Sequence, residues 1–216
     1  SSPSPPGWSL FEGQWRRLDD STWMVNQHNG GKILWDKTPL LDGEVQIEMK
    51  MTPGRANIGG LLLRVSEPRA GADNWFGYEV SLDMPGQVLL FGEHRQDWRP
   101  KARIPVSINP GGWHTLRAVI KGNRLQVFVD HSASPTLDTD LEQPLEGHLF
   151  GLRTWGSEIT YRKVQTRLNS ESDWQTATWP RTVAKPERSD EDAVAHRALA
   201  ALARTLINLN EFVYVP

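Results

Sequence analysis

The residues best suited to bind a ligand lie in one short stretch, Phe150 to Tyr161, where an arginine stands two places before a tryptophan. This stretch contains two strand-like runs on either side of a tight turn at Gly156-Ser157. Because side chains alternate across a strand, Arg153 and Trp155 share one face, which we expect to be accessible to a ligand. The alternative is a cation–π pair that only covers the sheet and contributes ~0.5–1 kcal/mol.

Tryptophan is unusually frequent in this chain, with ten residues against six phenylalanines and three tyrosines. A tryptophan ring can stack on the C–H face of a sugar while its N–H donates to a hydroxyl, so some of these residues could line a carbohydrate site. The alternative is that they fill a hydrophobic core. We expect the core for most of them, including Trp23, Trp35 and Trp113.

Composition and charge argue against several classes of function. The formal net charge of -2 gives no strong field toward nucleic acid or an anionic membrane, and no apolar run approaches the ~20 residues of a membrane-spanning helix. The absence of cysteine rules out disulfides and thiolate metal sites. None of the six histidines stands in a metal-ligand spacing, so we expect no metal or cofactor. Single acidic residues in the loops could bind a structural calcium ion, but their spacing does not indicate a calcium site.

Many short apolar runs separated by Gly, Pro and Asn turns indicate an antiparallel β-sandwich or jelly roll between residues 8 and 168. In Glu44 to Met51, the alternation places Val45, Ile47 and Met49 toward the core. The clearest hairpin joins residues 113–121 to residues 124–130 around Gly122-Asn123. We expect the polar stretches 93–99 and 131–146 to be a hairpin tip and a connection.

Both ends of the chain differ in composition from this central part. Residues 1–7 and 169–188 are rich in proline and polar residues, which is typical of linkers. Residues 189–216 are predicted to form a C-terminal α-helix and an apolar tail, because Ser189 can cap a helix and leucines recur at helical spacing from Leu199 to Leu209. This helix either packs on its own sandwich or docks a partner domain.

Charged residues on two neighbouring predicted strands also call for an explanation. Arg64 ends the apolar run 58–65 and would cost several kcal/mol if it were buried without a partner, so it should meet a carboxylate or face a cleft. On the next strand, Glu79, Ser81 and Asp83 share one face.

Five segments, in their order along the chain, resemble the concanavalin-A-like jelly rolls. They are Gly60-Leu-Leu-Leu-Arg64, Gly77-Tyr-Glu-Val-Ser-Leu-Asp83, Trp113-His-Thr-Leu-Arg117, Gln126-Val-Phe-Val-Asp130 and Phe150-Gly-Leu-Arg-Thr-Trp155. Within that group, residues 8–168 look most like the fructan-binding carbohydrate-binding modules of family 66. This resemblance implies a secreted or periplasmic protein that holds a polysaccharide or its terminal sugar. The positions that match the family's binding residues are Arg64, Glu79, Asp83, Arg153 and Trp155.

Two further resemblances point elsewhere. The family 66 modules usually have a second aromatic residue where this chain has Glu79, and Gly-Tyr-Glu-Val is similar to the 3-keto-disaccharide hydrolase-like domains, which are enzymes. That resemblance implies Glu79 as a catalytic base. Residues 198–215 are similar to the C-terminus of planctomycete multidomain proteins with cytochrome-c-like regions, which implies a piece of a larger bacterial protein.

These residues favour binding over catalysis. Arginine donates paired hydrogen bonds to neighbouring sugar hydroxyls, a carboxylate accepts them, and tryptophan covers the C–H face. Two arginines flanking Glu79 would keep it ionised, which makes it a poor general acid. The first hypothesis is therefore a non-catalytic carbohydrate-binding module. The alternatives are a glycoside-cleaving enzyme of the keto-disaccharide type and a structural or interaction domain that works through its C-terminal helix.

Overall fold

The computed structural model describes residues 7–19, 22–25, 30–53, 57–156, 158–169 and 172–177, and the regular elements within these ranges are strands. They are β1 (Trp8–Phe11), β2 (Trp15–Arg17), β3 (Thr22–Val25), β4 (Gly31–Trp35), β5 (Gly43–Met51), β6 (Ile58–Ser66), β7 (Phe76–Asp83), β8 (Val88–Arg95), β9 (Trp98–Pro105), β10 (Trp113–Lys121), β11 (Arg124–Val129), β12 (Leu137–Asp140), β13 (Leu149–Trp155), β14 (Ile159–Arg167) and β15 (Gln175–Thr176).

The strands form two antiparallel sheets. In the first sheet, the order is β1-β4-β13-β6-β7-β8-β9. In the second sheet, the order is β12-β11-β10-β5-β14-β3-β2, and β15 pairs with β14. The predicted all-β antiparallel sandwich is therefore confirmed, including the hairpin of β10 and β11.

The hydrophobic core lies between the inner faces of the two sheets. Val45, Ile47 and Met49 of β5 are fully buried, as their alternation predicts, and belong to one cluster with Leu61 and Leu63 of β6. Burial of a side chain of this size is worth ~1.5–3 kcal/mol. A second, smaller buried cluster lies outside this core and consists of Leu34, Leu62, Val65 and Trp75. Leu62 shares the outer face of the first sheet with Glu79.

Tryptophans occupy both the core and the outer faces. Trp8, Trp15, Trp35 and Trp75 are buried. Trp113, which we expected in the core, is only half-buried, and its ring lies between the Lys50 ammonium at 5.1 Å and the Arg162 guanidinium carbon at 3.8 Å. The long basic side chains cover the ring from outside, so an aromatic residue is accommodated without facing the core. The side chain of Trp23 lies outside the described residues.

Two polar stretches are strands rather than connections. Residues 93–95 complete β8, and β9 begins at Trp98, so the expected tip at 93–99 shrinks to the turn at Gln96-Asp97. Within 131–146, Leu137–Asp140 forms β12 and pairs with β11. β9 and β12 are edge strands, where polar residues are tolerated beside water. In β8, Glu93 and His94 are buried, and they pair with Lys101 and Glu79 on the neighbouring strands.

The folded part continues beyond Leu168. Residues 175–176, inside the predicted linker 169–188, form β15 on β14, and Ala177 is buried in the core. The predicted C-terminal helix and tail at residues 189–216 lie outside the described residues, and so do residues 1–6 of the predicted linker 1–7 and residues 178–188 of the predicted linker 169–188. Within the described ranges, no helix is long and apolar enough to cross a membrane.

Candidate functional site

The charged residues of the candidate site meet on the outer face of the first sheet. Glu79 on β7 and Arg153 on β13 are separated by β6, which places the two strands ~9–10 Å apart, and Glu79 lies two positions along β7 from the residue level with Arg153. Gly60 of β6 pairs with Arg153 and carries no side chain, so the guanidinium can extend across this strand toward Glu79. His94 extends from β8, the strand on the other side of β7.

Glu79 is buried, and its carboxylate contacts three polar side chains. Its carboxylate accepts a hydrogen bond from Ser81 Oγ at 2.7 Å and contacts His94 Nε2 at 2.9 Å and Arg153 Nε at 3.1 Å. Burial alone would raise the pKa of Glu79, but the Arg153 guanidinium, together with His94 and Ser81, outweighs it and lowers the pKa. Glu79 is therefore an ionised acceptor, as predicted, although its partners are Arg153, His94 and Ser81 rather than two arginines.

His94 supports the carboxylate from an enclosed position. Its ring stacks on Trp75 at 4.0 Å between centroids and is tilted against Trp98 at 4.8 Å, and the side chain is fully buried. Burial lowers the pKa of His94 despite the opposing effect of Glu79, so the ring is neutral at pH 7. In the neutral form Nε2 donates to Glu79, while Nδ1 lies 3.2 Å from Asp73 Oδ1 without hydrogen-bond geometry.

Asp73 lies in the loop between β6 and β7. Arg153 anchors this loop by donating to the Ala72 carbonyl at 2.9 Å, and its other terminal nitrogen lies 3.4 Å from Asp73 Oδ1. Trp75 Nε1 donates to the same carbonyl at 3.0 Å. The Asp73 side chain remains 39 % exposed, so it can accept hydrogen bonds from a ligand.

A buried lysine holds the same loop from β4. Lys32 lies opposite Arg153 in the sheet, is fully buried and donates its Nζ–H to the Gly71 carbonyl, while Glu12 accepts from the Gly71 amide at 2.9 Å. Burial, together with the nearby Arg153 charge, lowers the pKa of Lys32 to about 8. The loop is therefore fixed by side chains from two strands, β4 and β13, and by Glu12 between β1 and β2.

These groups line a pocket of about 210 Å³, which we call the outer-face pocket. Its lining consists of Ile58, Asp73, Glu79, Leu90, Trp98, Arg153 and Trp155. Trp155 is 38 % exposed, and the centre of its ring lies 6.0 Å from the Arg153 guanidinium carbon. Gly92 leaves room for the Trp98 ring, because a Cβ at Gly92 would come within 2.5 Å of it. The pocket thus combines charged hydrogen-bonding groups with apolar ring faces.

Arg64 does not join this group. It lies at a β-bulge in β6 and has a positive φ of 47°, and the bulge breaks the alternation that would have aimed its side chain outward. Its guanidinium donates to the Leu41 carbonyl at 2.8 Å, Asp42 Oδ1 at 2.7 Å and the Gly122 carbonyl at 2.7 Å. The carboxylate partner expected for a buried arginine is present, but the expectation that Arg64 flanks Glu79 is not met.

Asp83 shares the outer face with Glu79 but lies at the end of β7. Its carboxylate accepts from the Gly86 amide at 3.1 Å and lies 3.5 Å from Arg103, so it stabilises the turn into β8. It is not among the residues that line the outer-face pocket. The fold therefore brings together three of the five predicted positions, namely Glu79, Arg153 and Trp155.

Sequence reasoning missed Asp73 and Trp98, which line the pocket, and His94, which supports Glu79 from behind it. Asp73 stands in a loop, where no periodicity predicts its direction. His94 and Trp98 were assigned to a hairpin tip, but extending the alternation of β8 by one step from Leu90 and Gly92 would have placed His94 on the outer face. Within the described ranges, no group of three or more His, Cys, Asp or Glu residues is arranged to hold a metal ion.

The family model of the 3-keto-alpha-glucoside-1,2-lyase-like domain matches residues 4–167. This chain belongs to that family. It is also 26 % identical over 98 residues to a levanase from Bacillus sp. (strain L7). This alignment covers 45 % of the chain but only 10 % of the levanase.

Several solved structures have the same fold as this chain. A carbohydrate-binding module, CBM66 from Bacillus subtilis, has a TM-score of 0.65 at 18 % identity, with 76 % of this chain and 96 % of that chain covered. A protein of unknown function with a galectin-like fold from Bacillus subtilis has a TM-score of 0.61 at 10 % identity and coverages of 74 % and 89 %. The exoplasmic/lumenal domain of VIP36, bound to Ca²⁺ and Man3GlcNAc, has a TM-score of 0.54 at 17 % identity and coverages of 73 % and 86 %.

Proposed function

We propose that this domain is a non-catalytic carbohydrate-binding module that holds a sugar in the outer-face pocket. The observation that carries the proposal is a set of mutually fixed charged groups beside an exposed tryptophan. Glu79, Arg153 and Asp73 are held in place by one another and by the sheet, so little conformational entropy is lost when a ligand binds. A volume of about 210 Å³ lies below the range of ~300–1,000 Å³ typical of small-molecule pockets, which favours a ligand as small as one sugar ring.

The fixed groups retain free hydrogen-bonding capacity. Arginine has five N–H donors, and Arg153 uses three of its nitrogens on Glu79, Ala72 and Asp73, one contact each. A carboxylate has about four acceptor positions, and Glu79 has three partners. The remaining positions can bind neighbouring hydroxyls of one ring while Trp155 covers its C–H face. The levanase similarity supports a saccharide ligand, although it spans a small part of that enzyme.

The second candidate is cleavage of a 3-keto glycoside, which the name of the family suggests. In favour of it, Glu79 is an ionised carboxylate in the pocket and could accept a proton. Against it, the lowered pKa makes Glu79 a weak base, and His94 is enclosed between two tryptophan rings, where a substrate does not reach it. Asp73 and Glu79 contact the same guanidinium, so they lie on one side of the pocket and not across a scissile bond. We therefore favour binding.

The test is calorimetry and affinity gels with fructans, β-glucans, xylans and algal polysaccharides, with product analysis of every positive. Trp155→Ala should weaken binding by a factor of about 10 or more, which corresponds to ~1.4 kcal/mol of binding free energy. The exposed Trp155 ring is expected to contact the ligand, and it contributes little to the packing of the core. Trp113→Ala is the matched control, since this half-buried tryptophan lies on the second sheet. Equal losses in both variants, or no binding by the wild type, would contradict the proposal.

Product analysis separates the two candidates. The wild type and Glu79→Gln should be incubated with a 3-keto glucoside, and release of the aglycone measured. Turnover by the wild type that disappears in Glu79→Gln would replace the binding proposal with the enzyme. Export to the periplasm or beyond the cell stays a prediction, as does an interaction role for residues 189–216.

A further inference from the structure

A second cleft lies at the side of the sandwich, between the edge strands of the two sheets. We call it the edge cleft. It has a volume of about 350 Å³, and it is bounded by β8 and β9 on one side and by β12 with residues 141–143 on the other. Its size lies within the ~300–1,000 Å³ of small-molecule sites.

The wall formed by β8 and β9 presents hydrogen-bond donors. Glu93 is buried at its base, and its carboxylate holds Arg95 Nε at 2.7 Å and Lys101 Nζ at 2.6 Å. Burial would raise the pKa of Glu93, but Lys101 and Arg95 outweigh it and lower the pKa, so the three charges stabilise one another. Arg99 stands beside them with its side chain 51 % exposed, and its Nε donates to Asp97 Oδ1 at 3.0 Å. The N–H groups of Arg95, Arg99 and Lys101 that are not used in these contacts remain available.

The opposite wall presents acceptors. It carries the exposed carboxylates of Asp140 and Glu142 and the backbone carbonyl of Gln143, which accepts from Arg95 at 3.0 Å. Edges of the Tyr78 and Phe91 rings reach the cleft between the two walls. The lining has three basic and three acidic side chains, so neither an anion nor a cation is favoured by net charge.

We propose that the edge cleft is a second binding site, for a neutral polyhydroxylated ligand such as a sugar unit. A hydroxyl both donates and accepts, so neighbouring hydroxyls can bridge a donor wall and an acceptor wall that a simple ion or an apolar group would leave unsatisfied. This site is separate from the outer-face pocket, because alternation places Tyr78 and Glu93 on one face of β7 and β8, and Glu79 and His94 on the other. It does not depend on the outer-face pocket having a ligand.

The test is NMR titration of the ¹⁵N-labelled full chain with fructose, glucose, galactose, mannose and xylose, each added separately. The backbone amides of residues 141–143 report the edge cleft, and the indole N–H groups of Trp98 and Trp155 report the outer-face pocket. At least one sugar should shift the 141–143 amides saturably. Arg99→Ala and Glu142→Ala should each weaken this binding at least about tenfold. Both side chains are exposed, so folding should be retained, which thermal unfolding checks.

Two controls make the result decisive. Arg124→Ala removes an arginine of similar exposure outside the cleft and should leave the titration unchanged. Trp155→Ala should also leave the 141–143 shifts in place. Glucuronate is titrated as a charged comparison. The proposal is overturned if none of the five neutral sugars gives saturable shifts at 141–143, even if glucuronate does, or if those shifts disappear in Trp155→Ala.

Discussion

Replacing Glu79 with glutamine tests whether the charged cluster on the outer face is held as the structure indicates. The substitution keeps the volume and an acceptor oxygen but removes the charge that faces Arg153 Nε at 3.1 Å. At an effective dielectric constant of about 20, two unit charges at this distance attract by roughly 5 kcal/mol. Removing one partner of a buried pair costs ~3–5 kcal/mol. Asp73 still lies 3.4 Å from the guanidinium, so we expect a loss of ~3 kcal/mol, at the lower end of that range.

The assay is urea unfolding at pH 7, followed by tryptophan fluorescence and circular dichroism, with Glu48→Gln as the matched control. Glu48 is 8 % exposed against 5 % for Glu79, but its partners Arg162 and Lys163 are 35 % and 56 % exposed, so this substitution should cost ~0–1 kcal/mol. A double-mutant cycle with Arg153→Met should give a coupling energy of ~2 kcal/mol or more. Equal losses for Glu79→Gln and Glu48→Gln, or a coupling energy near zero, would refute the argument.

Three further predictions follow from the same cluster. Burial lowers the pKa of His94, so the unfolded chain binds a proton at this residue more readily than the folded chain. The free energy of unfolding should therefore fall as the pH drops from 7 toward 5, by at most ~1.4 kcal/mol per pH unit. In urea unfolding, His94→Gln should flatten this dependence. Lys32 titrates at about 8 in the fold and at 10.5 when unfolded, so its contribution makes stability rise with pH between these values, a rise that Lys32→Met should remove. Gly92→Ala places a Cβ 2.5 Å from the Trp98 ring and 2.6 Å from the Arg99 carbonyl oxygen. This substitution should destabilise the domain by ~1–3 kcal/mol and weaken ligand binding, because the Trp98 ring must move. An unchanged NMR signal of the Trp98 indole N–H would contradict this expectation.

The geometry of the cluster explains why family membership alone leaves the activity open. A lyase or hydrolase needs a base or acid whose pKa lies near the working pH and which can reach the substrate. Here Glu79 is stabilised as an anion by Arg153 and His94, and His94 is enclosed by Trp75 and Trp98. The same features suit a rigid binding surface, in which Glu79, Arg153 and Asp73 are held by one another before the ligand arrives. Family membership and geometry therefore lead to different expectations, which product analysis can separate.

Local patterns predicted most of the sandwich. The alternation of Val45, Ile47 and Met49, and the turn between β10 and β11, follow from side chains on a pleated strand and from short-range turn chemistry. The errors lie in polar stretches that form strands, namely residues 93–95 of β8 and Leu137–Asp140 of β12. β12 is an edge strand that faces water on one side, so its composition resembles that of a loop. In β8, Glu93 and His94 are buried because they pair with Lys101 and Glu79 on the neighbouring strands, which a local pattern does not reveal.

By itself, the sequence determined the two-sheet architecture, the shared face of Arg153 and Trp155 and the ionised state of Glu79, because each depends on period-two alternation or on the pairing of opposite charges. Only the tertiary structure decided which charges meet. A bulge in β6 directs Arg64 to Asp42, the turn after β7 uses Asp83, and the loop 67–75 brings Asp73 to Arg153 and His94. The contact between Arg153 of β13 and Asp73 of the loop 67–75 joins residues 80 positions apart. The strand order and bulges that set such contacts are properties of the whole sheet rather than of any local pattern.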